Sequence, residues 1–279
     1  MKISESKKEC RSIVETCKVQ GKLVGFVPTM GALHRGHISL VERSKQENDF
    51  TVVSIFVNPT QFNDKNDLKN YPRTFDADRA MLDDAGVDLI FYPTVDEMYP
   101  EEDHRVFDFG DLDKVMEGAH RPGHFNGVAQ VVSKLFDIVP ASNAYFGQKD
   151  FQQLAIIKQL VLQLKLPINI VPCNIVREPD GLAMSSRNML LSPEHRKNAV
   201  LISRTLFEAC SQKGLLPVSQ LKEWVVQTIN KNDCLDVEYF DMVDDTYLKS
   251  IDNWEQTINI VGCIAVKAGN VRLIDNVLF

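Results

Sequence analysis

The stretch LVGFVPTMGALHRGH, residues 23–37, decides the fold predicted for this chain. It begins as a short apolar run that favours a strand, turns at Pro28 and Gly31, and opens a helix at about Gly36. The same order of strand, turn and helix recurs up to about residue 175. Strands that alternate with helices form βαβ units around a mainly parallel sheet. We therefore predict an α/β fold, Rossmann-like, with helices on both faces of the sheet.

The other elements of this region are short β-rich runs bounded by Pro, Gly or polar residues, with stretches of helical periodicity between them. The predicted strands are Leu23–Val27, Val52–Val57, Val87–Tyr92 and Ile168–Pro172. The predicted helices are Gly36–Gln46, Phe75–Ala85, Val128–Val139 and Asp150–Leu164. Right-handed crossovers place the carboxyl ends of parallel strands at one edge, and ligands of such sheets bind there.

The pattern changes after Asn188. Ser192 followed by Pro193 is typical of a helix start, and the predicted helices run to about Ser211 and over Val218–Asn230. Three strand-like runs follow, at Val237–Val243, Thr257–Val266 and Val271–Ile274. Helices followed by consecutive strands indicate a small C-terminal α+β domain with an antiparallel sheet. We predict two domains, residues 1–180 and 181–279.

The composition limits the classes of function. Of 279 residues, 44% are hydrophobic and 25% are charged, which is typical of a globular protein. A net charge of −7 argues against a broad nucleic-acid-binding face, since that needs clustered Lys and Arg. No apolar run approaches the ~18 residues of a membrane span, and residues 1–20 have no apolar signal region. We expect a cytoplasmic protein with no membrane partner, whose six scattered cysteines are free thiols.

The most informative pair of polar residues is His34 and His37, three positions apart across a predicted helix start. A helix N-terminus offers free N–H groups and the positive end of a dipole, which suit a phosphate. Two imidazoles there can donate hydrogen bonds to charge that develops on a transferring phosphoryl group. Two surface histidines at an ordinary helix start are one alternative. A zinc site with His120 and His124 is another, although Pro122 and Gly123 disfavour a regular metal-binding helix face.

Polar residues also follow the other strands. Gln61 carries donors and an acceptor without adding charge, which suits a carboxylate or hydroxyl ligand. Lys149 is a mobile cation suited to phosphate, and Asp150 can cap a helix or bind a ribose hydroxyl. The hydroxyls and guanidinium of Ser185–Arg187 suit a phosphate as well. A polar loop and a surface Lys–Asp pair are the alternatives.

Six motifs in order resemble those of the pantothenate synthetase family, the pantoate–β-alanine ligases of the H-x-G-H nucleotidyltransferase superfamily. They are PTMGALHRGH at 28–37, FVNPTQF at 56–62, YPRT at 71–74, RPGHFNGV at 121–128, YFGQKDFQQ at 145–153 and DGLAMSSRN at 180–188. The resemblance implies ATP-dependent ligation of (R)-pantoate and β-alanine to pantothenate. The reaction would pass through pantoyl adenylate and release pyrophosphate and AMP. The family is usually a homodimer, and Mg²⁺ is expected to accompany the ATP.

The resemblance also assigns residues to each substrate. To ATP it assigns Met30, Gly31, Ala32, Leu33, His34, Arg35, Gly36, His37, Gly147, Gln148, Lys149, Asp150, Val176, Met184, Ser185, Ser186 and Arg187. The catalytic residues would be His37, as general acid, with His34, Lys149 and Arg187. Pantoate would contact Gln61, Gln153 and Asn58, and β-alanine would contact Gln61. Asp78 is the first candidate for a metal ligand and Asp76 the second.

Two further features concern how this chain would use ATP. Gln148 stands where the family often has Glu, which changes the charge balance if that side chain orients Lys149. Met184–Arg187 resembles the mobile phosphate-binding loop of the related tRNA synthetases, so we expect the C-terminal domain to act as a lid.

Three competing functions are weighed against this assignment. Another H-x-G-H adenylyltransferase that acts on a phosphate acceptor would need more cations than Asn58, Gln61 and Gln153 supply. A tRNA synthetase is disfavoured by the small size and the negative charge. A nucleotide-binding regulator with an inactive site would not need all the phosphate-side residues. Pantoate-dependent exchange between ATP and pyrophosphate separates the ligase from these alternatives.

Overall fold

The computed structural model describes residues 1–63 and 65–279, and these divide into two compact units. The first comprises Met1–Lys114, Gly118–Gln148 and Gln153–Asn174. The second comprises Val115–Glu117, Lys149–Gln152 and Ile175–Phe279.

A parallel sheet of six strands forms the centre of the first unit, in the order β1-β4-β3-β2-β5-β6. The strands are β1 Lys2–Ser4, β2 Val24–Thr29, β3 Phe50–Ile55, β4 Leu89–Phe91, β5 Asn143–Gly147 and β6 Asn169–Cys173. The central strands are buried, which explains why they read as continuous apolar runs in the sequence. The predicted α/β fold is confirmed.

Helices surround this sheet. They are α1 Lys7–Val19, α2 Arg35–Glu47, α3 Lys65–Asn70, α4 Phe75–Asp84, α5 Val95–Met98, α6 Met116–His120, α7 His124–Ile138 and α8 Phe151–Leu164. Helix α7 begins four residues before the predicted Val128, because Gly123 adopts a left-handed conformation with φ 81° and starts the helix there. Within the described residues, no helix has the length and apolar character that crossing a membrane requires.

The second unit contains two long helices and an antiparallel sheet. The helices are α9 Pro193–Ser211 and α10 Val218–Asn230, and the strands are β7 Leu235–Asp244, β8 Ile260–Ala268 and β9 Val271–Leu278 in that order. Helix α9 starts as the sequence predicts, with Ser192 accepting the N–H of His195 and Pro193 at the first helical position. The apolar faces of both helices share one core with the inner face of the sheet. The predicted C-terminal α+β architecture is confirmed.

Close packing of α2 on β2 holds the start of α2 at the end of that strand. A Cβ atom on Gly25 would collide with Ser44 Oγ and would lie 2.6 Å from Asn48 Nδ2. Both of these side chains are already engaged: Ser44 Oγ is 2.8 Å from Thr51 Oγ1, and Asn48 Nδ2 donates to the Tyr145 hydroxyl. Gly25 therefore permits the short distance between helix and strand.

We predict that Gly25→Ala lowers the free energy of unfolding by about 1–3 kcal/mol, because the added methyl group overpacks this contact. Denaturant unfolding followed by circular dichroism measures the change. In the double variant with Ser44→Ala the colliding oxygen is absent, so the loss should be smaller than the sum of the single losses. Additive losses would show that the Gly25–Ser44 contact is not the cause.

Candidate active site

The segment between β2 and α2 has a backbone shape that few residues tolerate. Gly31 has φ 79° and Ala32 has φ 50°, so two consecutive residues lie in the left-handed region. The carboxylate of Asp78, in α4, holds this turn. Its oxygens accept the N–H groups of Ala32 at 2.9 Å and of Leu33 at 2.8 Å, together with the Thr74 hydroxyl at 3.1 Å. Asp78 is only 2% exposed, so these bonds are shielded from water.

Two imidazoles close the first turn of α2. The N–H of Gly36 donates to His34 Nδ1 at 3.1 Å, and the N–H of His34 donates to His37 Nδ1 at 3.3 Å. This is the reciprocal pattern of a capping box, with histidines in both positions. Because each Nδ1 accepts a hydrogen bond, the proton of each neutral ring lies on Nε2. The two rings, whose centroids are 4.1 Å apart, thus give the helix start two side-chain N–H groups.

The neighbouring ATP-assigned residues of the first unit have different roles. The guanidinium of Arg35 forms an exposed pair with Glu42, at 2.6 and 3.1 Å, so its side chain is directed along the helix surface. Met30 Sδ accepts the Gln61 amide at 2.9 Å, which brings the turn and the Gln61 side chain into contact. Gly147 ends β5, Gln148 follows it, and both are half-buried.

Gln61 is held by the fully buried side chain of Asn58. Asn58 Nδ2 donates to Gln61 Oε1 at 3.2 Å and to the Gly127 carbonyl at 3.1 Å, while its Oδ1 accepts the Tyr99 hydroxyl at 2.8 Å. Asn58 is 1% exposed and Gln61 is 8% exposed. The structure therefore brings these two predicted residues together, with Asn58 beneath Gln61 rather than facing open solvent.

Residues of the motif at 121–128 contact Gln61 and its neighbours, although the resemblance gave them no substrate and His124 was considered only as a ligand of the alternative zinc site. His124 Nδ1 donates to the Gln61 carbonyl at 2.8 Å, and Arg121 Nη1 donates to His124 Nε2 at 3.2 Å. Gly127 packs so closely on the Thr60 carbonyl that a Cβ atom would collide with it. The motif itself could have indicated their importance, because a helix start alone does not explain why it contains His124 and Gly127.

The predicted residues of the second unit form their own group. Lys149 and Ser185 line one small cavity together with Asn188 and Asp275. Ser185 Oγ accepts the N–H of Arg187 at 3.3 Å and so begins the short 3₁₀ turn Ser186–Leu190. Among the described residues, the Lys149 ammonium has no hydrogen-bond or ion-pair partner. A cation without a protein partner is suited to an anionic ligand.

The remaining predicted residues have these surroundings. Gln153 lies half-buried in α8, in the first unit, while its neighbour Gln152 is buried and bonds to Val115 and Glu117 in the second. The carbonyl of Val176 accepts the N–H of Met184 at 3.0 Å, so these two assigned residues face each other across a hairpin. In the described ranges, no group of three or more His, Cys, Asp or Glu side chains is arranged to hold a metal ion.

The chain is similar to known proteins over its whole length. Residues 2–278 match the family model described as pantoate-beta-alanine ligase. A pantothenate synthetase of Bacteroides fragilis strain YCH46 is 55% identical over all of this chain and 99% of its own length. One of Porphyromonas gingivalis strain W83 is 52% identical with the same coverage.

Solved structures of the same family are similar to this chain as well. The pantothenate synthetase of Thermus thermophilus superposes with a TM-score of 0.93 at 42% identity, covering 99% of both chains. The pantoate-beta-alanine ligase of Francisella tularensis, complexed with beta-gamma ATP and beta-alanine, has a TM-score of 0.82 at 36% identity, covering 100% of this chain and 97% of that one. The resemblance found in six motifs therefore extends over the full length, and the chain belongs to the pantoate–β-alanine ligase family.

Proposed function

We propose that this chain joins pantoate to β-alanine in two steps that use the residues described above. In the first step the pantoate carboxylate attacks the α-phosphorus of ATP, which forms pantoyl adenylate and releases pyrophosphate. In the second step the β-alanine amine attacks the acyl carbon, loses a proton and displaces AMP. The observation that carries this proposal is the pair of imidazoles locked into the first turn of α2.

The residues proposed to bind the phosphates are those at the start of α2, in the first unit, and Lys149 and Ser185–Arg187, in the second. His34 and His37 would donate Nε2–H to phosphate oxygens, where the negative charge grows as pyrophosphate leaves. The dipole of α2 adds to this effect, because α2 is a 13-residue helix with no acidic residue in its first turn. Lys149 and Arg187 would balance the remaining charge of the triphosphate.

Gln61 is the residue proposed to bind pantoate and β-alanine. Its amide can donate to a carboxylate and accept from a hydroxyl or an ammonium group, which are the polar groups of pantoate and β-alanine. Asn58 and His124 act through Gln61 by fixing its side chain and its carbonyl. Gln153 is proposed as a further pantoate contact.

Mg²⁺ is proposed to accompany ATP, held mainly through the phosphates. The Asp78 oxygens already accept two backbone N–H groups and a hydroxyl, which fits an anchor of the 31–33 turn better than a metal ligand. A homodimer and a cytoplasmic location are proposed from the family resemblance alone.

The two-step scheme is tested by isotope exchange. Labelled pyrophosphate should enter ATP only when pantoate is present, and β-alanine should not be required. AMP release should require both acceptor substrates. Exchange that proceeds without pantoate would contradict the scheme and favour an adenylyltransferase with another acceptor.

The role of His37 is tested with a variant that keeps the capping acceptor, provided by Nδ1, and removes the Nε2–H donor. In His37→Asn the amide oxygen can still accept the His34 N–H, so the melting temperature should stay close to that of the wild type. The Nε2 donor is lost, so pantoate-dependent exchange should fall by about a hundredfold or more. His37→Gln, which can place an amide donor near the Nε2 position, should lose less activity. Exchange within about threefold of the wild type in His37→Asn would remove His37 from the mechanism.

The role of Asp78 is tested without metal or nucleotide. Asp78→Ala should lower the free energy of unfolding by about 2–4 kcal/mol, because two buried N–H groups lose a charged acceptor. Asp76→Ala is the matched control, since Asp76 is an exposed carboxylate in the same helical turn, and it should change stability by less than about 1 kcal/mol. An Asp78→Ala variant as stable as the wild type in metal-free buffer would favour the metal-ligand assignment instead.

The role of Gln61 is tested by steady-state kinetics. Gln61→Ala should raise the KM for pantoate by about tenfold or more, in line with the loss of one or two hydrogen bonds, and leave the KM for ATP within about twofold. Asn58→Ala should change the same parameter, and the double variant should be no worse than Gln61→Ala, because Asn58 acts through Gln61. Equal increases in both KM values would make Gln61 a structural residue.

A further inference from the structure

Strand β9 carries two adjacent polar residues that no motif of the sequence analysis included. Asp275 is 4% exposed and Asn276 is 5% exposed, and both lie in the second unit with Lys149 and the segment 175–187. The Asn276 side chain bonds to Lys149, which is assigned to ATP, and the Asp275 side chain bonds to Arg177, in the hairpin that leads to Ser185. Polar side chains buried in this way need a partner, so their placement has to be explained by what they hold.

Asn276 holds the backbone of Lys149. Its Nδ2 donates to the Lys149 carbonyl at 3.0 Å. This bond fixes the backbone position from which the Lys149 ammonium extends. A long flexible side chain reaches a defined place only if its backbone is fixed.

Asp275 holds the hairpin that leads to Ser185. Its carboxylate forms a two-pronged pair with Arg177, from Nη1 at 2.6 Å and from Nη2 at 2.9 Å. Arg177 Nη1 also donates to the Gly181 carbonyl at 3.2 Å, and a bridge between Arg177 and Ala183 closes the hairpin. The chain enters the Ser185–Arg187 segment directly from this hairpin.

The two attachments are themselves linked. Asp275 Oδ1 accepts the N–H of Asn276 at 2.8 Å, so the carboxylate orients the residue that holds Lys149. Burial raises the pKa of the Asp275 carboxyl, while the Arg177 guanidinium opposes that effect and the charge of Lys149 adds to the opposition. The backbone of Lys149 and the hairpin before Ser185 are therefore bound by adjacent residues of β9.

Stability alone is a weak reason for such an arrangement. Burying an ion pair costs desolvation that its attraction barely offsets, and apolar replacements are often as stable. An apolar pair would not tie the two segments to one strand.

We propose that Asp275 and Asn276 are positioning residues for the adenylation step. They keep Lys149 and the Ser185–Arg187 turn at a constant spacing, so that the cation and the hydroxyls meet the triphosphate without rearrangement. This inference rests on the proposed roles of Lys149 and of Ser185–Arg187. It concerns only the step that uses ATP, because the second step acts on an adenylate whose pyrophosphate has already left.

The test measures the two half-reactions separately. Pantoate-dependent exchange of pyrophosphate into ATP reports the first, and release of AMP from preformed pantoyl adenylate by β-alanine reports the second. In Asn276→Ala and in Asp275→Asn the first should fall by about tenfold or more, and the second should stay within about twofold of the wild type. A merely structural role would lower both half-reactions together, and that result, or no change in either, would overturn the proposal.

Glu238→Gln is the matched control. Glu238 is a half-buried carboxylate of the same sheet that pairs with Arg272 on β9, at 2.6 Å. This variant should lose stability while keeping both half-reactions within about twofold of the wild type. A selective loss of exchange in Glu238→Gln would show that any broken ion pair on β9 has this effect, and would overturn the assignment to Asp275 and Asn276.

Lys149→Ala separates this inference from the assignment on which it rests. If that variant keeps full exchange, the proposed role of Lys149 fails and the inference fails with it. If Lys149→Ala loses exchange while Asn276→Ala retains it, the role of Lys149 stands and only the positioning inference is wrong. Should Asp275→Asn not fold, Asn276→Ala keeps the ion pair intact and decides the question.

Discussion

The reciprocal hydrogen bonds of His34 and His37 at the start of α2 are the constraint on which the rest of the site depends. A helix start must satisfy its free N–H groups, and here two imidazoles do so through Nδ1. The same bonds leave Nε2 as the protonated nitrogen of each neutral ring. Helix capping and the chemistry proposed for phosphate transfer therefore use opposite nitrogens of the same rings, and neither function has to be given up for the other.

The surrounding residues place this helix start and keep it there. Gly25 lets α2 approach β2, and Asp78 holds the left-handed turn at residues 31–33 through backbone N–H groups. Gln61 reaches the same turn through Met30, on a support made by Asn58 and His124. In the second unit, buried polar residues of β9 likewise hold the backbone of Lys149 and the hairpin before Ser185. In both units buried polar residues determine the positions of the half-buried donors and cations.

Local patterns in the sequence predicted the architecture well, whereas they did not predict the supports of the site. The parallel sheet, the C-terminal antiparallel sheet and the bounds of α2, α4, α8, α9 and α10 follow from periodicity and caps, whereas α1 was not predicted. Strand β1 was missed because it has only three residues and exists through pairing with β4. Asp78 bonds to Ala32, 46 residues away, Asp275 to Arg177, 98 residues away, and Asn276 to Lys149, 127 residues away, and no local pattern encodes contacts of that range. The assigned site residues and the domain boundary at residue 180 stay predictions.

The position of the proton on each of the two rings can be measured directly. A long-range ¹H–¹⁵N correlation spectrum of the ligand-free protein, assigned with His34 and His37 variants, identifies which nitrogen of each neutral ring carries the proton. The capping arrangement predicts Nε2–H in both rings, with Nδ1 as the acceptor that caps α2. A proton on Nδ1 of either neutral ring would contradict it, because that ring would then neither cap the helix nor present Nε2–H to a phosphate.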